Sequence, residues 1–510
     1  MSPLRKTQRN DYSTTSNRKK NIRSKLFFLL QIGIVLLLGS ILPLSTNFLP
    51  VSNAQSGNTL DKVLSCGKPG EAGGIAPGTD LYRINLDLTK FPGAICNDGT
   101  GGIFYVRRYS NTDNRNKWVI YLQGGGDCGS GQACAQRWCS IETNFGANKM
   151  SSSFAPDKGI RGNGLLSPDS SLNNFATWNQ VFVYYCSSDQ WSGTAANVQL
   201  SATGVNGQSF QYTIHFKGAE IFDAVVSMLR RENKAKVKYR DQAGKKLVLP
   251  DLDDATTVVF AGASAGSGGV RNNTDRLQSL LRQNNTNCTG SQCPLQYFAV
   301  IDSGFPPDMS GLDFSQSVPC EKASLCSYEA FIQYQWNVVQ RGTWGARPDQ
   351  SCLEFHQKDG TEFECANLVH VMQNHLTSPY FTRQDTQDQL LLGNNVEAGL
   401  TTPQSFGDLV HDQLTNLVNL DSFAEEGSIR SGGAKLTTPG VFGAQCTDHE
   451  TLTNNQDFFE VKVLHNGQLY SAHDVLTNWL RGQQPSVVIR PFTTPGVAPE
   501  CSEELKRSIN

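Results

Sequence analysis

Three groups of residues in this chain have types and spacing suited to chemistry: a serine between glycines, Gly262-Ala-Ser264-Ala-Gly266; a triple-glycine turn, Gly124-Gly-Gly126; and a set of histidines far downstream. A serine hydroxyl is a weak nucleophile until a neighbouring base takes its proton and fixed dipoles receive the charge that develops on its target. In a Gly-x-Ser-x-Gly segment the chain turns sharply from a strand into a helix, and the glycines admit the close approaches that push the hydroxyl out of the turn. The same turn presents the backbone N–H of Ala265 at a helix start, where negative charge is favoured. By composition alone the pentapeptide is weak, expected by chance roughly 0.3 to 0.4 times in a chain this rich in glycine. It therefore needs supporting parts.

One such part is a second oxyanion donor, which commonly comes from a glycine-rich loop after an earlier strand. Gly124 to Gly126 fits that requirement, although an ordinary tight turn would look the same in isolation. The other part is a base, which in this arrangement follows the serine and an acid along the chain. His375, His411, His449, His465 and His473 lie far enough after Ser264, with His356 and His370 less favoured. Spacing does not choose among them, and a lone histidine is more often structural.

The elements that must position these groups are legible in the apolar pattern. Thr257-Val-Val-Phe-Ala261 runs straight into the serine turn, and Trp118-Val-Ile-Tyr-Leu122 runs straight into Gln123-Gly-Gly-Gly-Asp127. Val181 to Tyr185 and Tyr297 to Ile301 are further short apolar runs. Gly218 to Arg231 and Asn273 to Leu281 carry helical spacing, and residues 55 to 116 read as strands and turns. Short strands alternating with helices predict a mainly parallel α/β sheet with functional loops at the strand C-termini. With no repeat and no low-complexity linker, residues 55 to 510 read as one domain. Asp302, after the Tyr297 to Ile301 run, reads as a strand-end turn residue.

Residues 1 to 54 form a separate object. Arg18, Lys19, Lys20, Arg23 and Lys25 precede an apolar run from Leu26 to Leu42, and Ser52-Asn53-Ala54 offers a cleavage site before Gln55. An export signal is the expectation and an uncleaved anchor the alternative; either puts the folded part outside the cytosol. Past residue 54 the chain has 36 basic and 45 acidic residues, a net −9, which gives no reason to expect nucleic acid as a partner. All 14 cysteines lie in this exported part, an even number that allows as many as seven disulfides. The close pairs Cys288/Cys293, Cys320/Cys326 and Cys352/Cys365 read as local staples. No CxxC occurs and the eight histidines show no HxxxH spacing, so no metal site is expected.

Four ordered stretches, Trp118 to Cys128 with Arg137-Trp138, Val181 to Gly193, Phe260 to Val270 and Asp302 to Phe305, together resemble the pectin acetylesterase family, which includes the Wnt deacylase Notum. The likeness extends more weakly from Pro379 onward. It implies an α/β-hydrolase-like carboxylesterase that needs no cofactor, with Ser264 as nucleophile and Gly125, Gly126 and Ala265 as oxyanion donors. The family's acid follows a strand with a Pro-x-Phe start, which points to Asp388 in Pro379-Tyr-Phe-Thr-Arg-Gln-Asp385-Thr-Gln-Asp388, with Asp385 a near rival. Its histidine comes shortly after a cysteine and before the last helix, which Cys446-Thr-Asp-His449 matches if residues 473 to 480 form that helix. Plant members carry Trp where this chain has Asp127, a difference at the mouth of the site. The implied substrate is an acylated extracellular polysaccharide such as pectin; a lipid-acylated protein is the alternative, and a glycan-binding protein without chemistry a third reading.

Overall fold

The computed structural model describes residues 74–141, 145–204, 207–289, 292–309, 328–392, 402–419, 438–490 and 501. Residues 1–54 and the Cys320/Cys326 pair lie outside these. Thr257–Ala263 forms the strand β10 and is buried at every position. A strand apolar on both faces must be covered on both, which is the condition of a parallel sheet under helices. Accordingly β10 pairs in parallel with β3 (Lys117–Leu122) on one side and β11 (Gln296–Asp302) on the other. Beyond β11 come β12 (Tyr380–Arg383), β13 (Gly440–Gly443) and β16 (Val487–Ile489), and beyond β3 comes β5 (Asn179–Val183), all parallel. Three antiparallel strands, β2 (Ile103–Arg107), β1 (Pro77–Asn85) and β4 (Gly159–Ile160), complete a ten-stranded sheet. The hairpins β6/β7 (Ala195–Thr203, Ser209–Phe216), β8/β9 (Lys238–Arg240, Lys246–Val248) and β14/β15 (Lys462–His465, Gln468–Ser471) stand apart from it. The α/β, mainly parallel class read from the sequence is the observed one.

Local differences have physical causes. The run expected to end at Tyr185 leaves the sheet after Val183, because the Tyr185 N–H donates to Gln123 Oε1 at 3.0 Å and the Tyr184 hydroxyl to the Asn148 carbonyl. The helix expected at Asn273 to Leu281 spans Ala265–Asn284. Its first turns contain Gly266, Gly268 and Gly269, weak helix formers by propensity. Packing selects them: a Cβ on Gly269 would lie 2.7 Å from both Leu122 and Trp191. Gly218–Leu229 and Ala472–Leu480 are helical as expected, the latter closed by a capping box between Ser471 and Asp474.

Five disulfides join described residues: the expected Cys288–Cys293 and Cys352–Cys365, with Cys96–Cys186, Cys128–Cys134 and Cys446–Cys501. Among the described residues no helix is long and apolar enough to cross a membrane.

Arg383, at the end of β12, sits opposite Asp302 in the parallel register and is 1% exposed. It pairs with Asp385 at 2.7 Å and lies 3.6 Å from Asp302, both fully buried. Burial disfavours its charge, but the two carboxylates more than offset this and keep the guanidinium protonated. Removing one partner of such a group leaves uncompensated buried charge, which costs about 3–5 kcal/mol. Arg383→Met is therefore expected to lower unfolding free energy by about that amount in urea titration. A loss under about 1 kcal/mol would show that the network does not hold the fold.

Candidate active site

Ser264 stands between β10 and its helix at φ 53°, ψ −121°, a left-handed conformation that a side chain rarely adopts. The surroundings enforce it. A Cβ on Gly262 would lie 2.3 Å from the Gly266 carbonyl oxygen, and one on Gly266 would lie 2.1 Å from that of Leu122. Only glycine fits at either position, so the two residues that define the motif let the turn close against β3. The Ser264 N–H donates to the Asp302 carbonyl at 2.9 Å, which ties the turn to the end of β11.

The glycine loop after β3 is fixed through its carbonyls. Arg137, buried in the helix Gly131–Cys139, donates to Gly125 O at 2.5 Å, and buried Lys149 donates to Gly124 O at 3.1 Å. Burial pushes the Lys149 ammonium down to about 8, against the pull of Glu450. With Gly125 at φ 134° and Gly126 at φ 61°, the loop takes a path closed to most side chains. The N–H groups of Gly125, Gly126 and Ala265 donate to no acceptor among the described residues. Asp127 is exposed at the rim and accepts from Gln190 Nε2 at 2.6 Å.

Two loops at neighbouring strand ends carry the residues expected as acid and base. Past β12 and β13 they run side by side, with Thr386 N–H donating to Ala444 O at 2.9 Å and Gln389 N–H to Thr447 O at 3.1 Å. This brings His449 Nδ1 within 2.7 Å of Asp388 Oδ2. The fully buried Asp388 also accepts from Gln384 Nε2 at 3.0 Å and from the Leu390 and Leu391 N–H groups at 3.1 and 3.3 Å. Burial works against the His449 cation, but the Asp388 hydrogen bond and charge, then Glu450 and Asp302, outweigh it and raise the imidazole above its usual value. His449 Nε2 is buried and makes no hydrogen bond among the described residues. The rival Asp385 is occupied by Arg383, whose Nη2 donates to its Oδ2 at 2.7 Å.

The histidine loop meets the serine turn at one point. A Cβ on Gly124 would lie 2.0 Å from Glu450 Oε1 and 2.4 Å from Ala263 O, so glycine loop, serine turn and histidine loop are in contact there. Asp302 holds the histidine loop from below, accepting from Leu452 N–H at 2.9 Å and Thr451 Oγ1 at 3.3 Å, while Ser303 Oγ accepts from Glu450 N–H at 3.1 Å. The other candidate histidines are elsewhere. His473 packs on Phe175 and Phe458, His411 and His465 are on outer elements, and His356, His370 and His375 gather together. Sequence reasoning missed Lys149 and the loop-binding role of Arg137. A lone Lys gives no signal until the fold buries it against a carbonyl.

Comparison with known proteins agrees with this architecture. The Palmitoleoyl-protein carboxylesterase NOTUM of Schmidtea mediterranea is 28% identical over 414 residues, 79% of this chain and 64% of that protein. The Palmitoleoyl-protein carboxylesterase notum2 of Xenopus laevis is 28% identical over 383 residues, 74% of this chain and again 64% of its own length. The chain thus spans somewhat under two thirds of these relatives. A crystal structure of the Wnt deacylase Notum from Drosophila covers 83% of this chain and 99% of its own at TM-score 0.54 and 21% identity, a likeness of fold. The family model described as Pectinacetylesterase matches residues 81–502, and by that match the chain belongs to the pectinacetylesterase family.

Proposed function

We propose that this chain is an exported serine ester hydrolase that removes O-acetyl or other short acyl groups from an extracellular glycan such as pectin. The observation that carries the reading is the 2.7 Å contact between Asp388 and His449, on a loop packed against the strained Ser264 turn. His449 Nε2 takes the Ser264 proton as Oγ attacks the ester carbonyl, and the N–H groups of Gly125, Gly126 and Ala265 receive the oxyanion. The tetrahedral intermediate collapses, His449 gives its proton to the leaving alcohol, and a water activated by the same imidazole releases the acid. Asp388 fixes the tautomer with the proton on Nδ1 and stabilises the imidazolium. Residues 1 to 54 act as the export segment, and the disulfides fit an oxidising compartment.

A second reading, removal of a lipid acyl group from a protein, is favoured by the names of the relatives at 28% identity. Rates on p-nitrophenyl esters from acetyl to palmitoyl separate the two. Acetyl to butyryl esters are expected to turn over fastest, and Ser264→Ala to lose about 10⁴-fold or more in kcat. Preference for the long chains would move the assignment to a lipid deacylase. Equal rates for Ser264→Ala would remove the hydrolase reading and leave a glycan-binding protein on this scaffold.

The raised His449 pKa fixes a pH dependence. A base must be neutral, so kcat/KM rises with pH through the pKa of the free enzyme, and the midpoint is expected above the ordinary 6.5. Asp388→Asn removes the contact that lifts it, so its midpoint should fall and kcat should drop by about 10⁴. Asp385→Asn should act mainly on stability. If Asp385→Asn shifted the midpoint and Asp388→Asn did not, the acid would have been misassigned.

A further inference from the structure

The glycine loop carries two buried cations that a tight turn does not need. A peptide unit joins the carbonyl of one residue to the N–H of the next, and in the trans form the two groups point in opposite directions. The Gly124 carbonyl and the Gly125 N–H therefore belong to one unit, and the Gly125 carbonyl and the Gly126 N–H to the next. Lys149 Nζ donates to the first of these carbonyls at 3.1 Å, and Arg137 Nη2 donates to the second at 2.5 Å. The third unit runs from the Ser264 carbonyl to the Ala265 N–H, and its carbonyl accepts from the neutral Ser267 hydroxyl at 2.5 Å. Each N–H proposed to receive the oxyanion thus lies on a peptide whose carbonyl is engaged, in two cases by a cation.

Both cations are costly to keep. Lys149 and Arg137 are 4% and 3% exposed, and burial pushes both below their ordinary pKa values. A neutral amide or hydroxyl would hold a carbonyl without burying charge. What a charge adds is strength and polarisation: a cation on the carbonyl oxygen makes the N–H of the same peptide a better donor. The loop is shaped to admit the lysine, because a Cβ on Gly125 would lie 2.8 Å from both Lys149 Cδ and Cε. The charged groups facing Lys149 are Glu450 on the histidine loop and Arg137 on the helix Gly131–Cys139, and those facing Arg137 are Asp127 and Tyr185.

We propose that Lys149 and Arg137 are positioning residues of the acyl-transfer site, which aim and polarise the Gly125 and Gly126 N–H groups by binding the far ends of their peptides. This role rests on the serine hydrolase reading above and extends it to residues that do not touch the ester. It also separates the two cations by pH. Arginine keeps its charge throughout the working range. Lys149 loses its proton near 8; the neutral amine can still donate to Gly124 O, but the charge behind the peptide is gone. Turnover is therefore supported while Lys149 is protonated and falls as pH rises through that value, on the opposite side of the profile from the rising limb set by His449.

The test is the kcat and KM of the full chain on p-nitrophenyl acetate from about pH 6 to about pH 10, with Ser264→Ala as the blank. The wild-type kcat/KM profile is expected to be bell-shaped, with its alkaline midpoint near 8. Lys149→Gln, which keeps an amide donor and removes the charge, should lower kcat about tenfold, less than the loss of a whole oxyanion donor, and leave KM within about twofold. It should also abolish the alkaline limb. Arg137→Gln should lower kcat by a similar factor and keep the limb, and Arg137→Lys should recover most of the loss. A wild-type profile flat to about pH 10, or a limb that persists in Lys149→Gln, overturns the inference. Should Lys149→Gln fail to fold, the wild-type profile and equal kcat for Arg137→Gln and Arg137→Lys remain able to overturn it. Equal rates for Ser264→Ala and wild type would remove the hydrolase reading together with this role, whereas an inactive Ser264→Ala beside unaltered Lys149→Gln and Arg137→Gln removes the role alone.

Discussion

Everything at the candidate site hangs from the buried Asp302–Arg383–Asp385 ion network. The backbone carbonyl of Asp302 holds the Ser264 N–H, its carboxylate holds the loop that carries His449, and its neighbour Arg383 pairs with Asp385 on the loop that carries Asp388. Three loops from three strands are thus referenced to one pair of residues placed side by side by the β11/β12 register. Buried ions are expensive and are often no more stabilising than apolar residues of the same volume. Here they fix loop positions, which an apolar cluster, being non-directional, does less well.

That fixing is needed because the site itself is strained and under-satisfied. A non-glycine residue in the Ser264 conformation costs about 1–3 kcal/mol and persists only when the surroundings over-determine it. Among the described residues, the N–H groups of Gly125, Gly126 and Ala265 and His449 Nε2 forgo hydrogen bonds that a structural loop would make. Compensation comes from the far side of the same peptides. Arg137 and Lys149 bind the carbonyls of Gly125 and Gly124, so the glycine loop is held from behind. Charge balance follows the same plan: Glu450 offsets the buried Lys149, and Asp388 favours the cationic form of His449.

The parts legible in the sequence are those encoded locally. Val258, Val259 and Phe260 announce a two-faced strand, Gly262 and Gly266 announce the close approaches around Ser264, and Asp302 at a strand end reads as structural, which its buried bonds bear out. The parts that were not legible depend on what the fold brings opposite a residue. Asp385 and Asp388 are three residues apart with similar neighbours in sequence, and they differ only because Arg383 faces one and His449 the other. Likewise the first turns of the Ala265–Asn284 helix are hidden by glycines that tertiary contact requires and propensity disfavours. Even the family likeness supplied the acid as a pair of candidates, and only the fold shows which of the two lies against His449.

β12 shows how the two halves of this design connect. It is four residues long, roughly 13 Å, too short for its own ladder bonds to fix its position firmly. Its entry is held by Asp275 of the serine helix, which accepts from the Thr377 and Ser378 N–H groups at 2.8 Å each, and by the Tyr380 hydroxyl on Met372 O at 3.1 Å. Its exit is held by Arg383. The helix that begins at Ser264 therefore grips the start of the strand whose end delivers Asp388. Ser264 and Asp388, the proposed nucleophile and acid, are thus referenced to each other at both ends of β12, and under that proposal rigid packing ahead of β12 becomes a requirement of the site even though it lies away from Ser264.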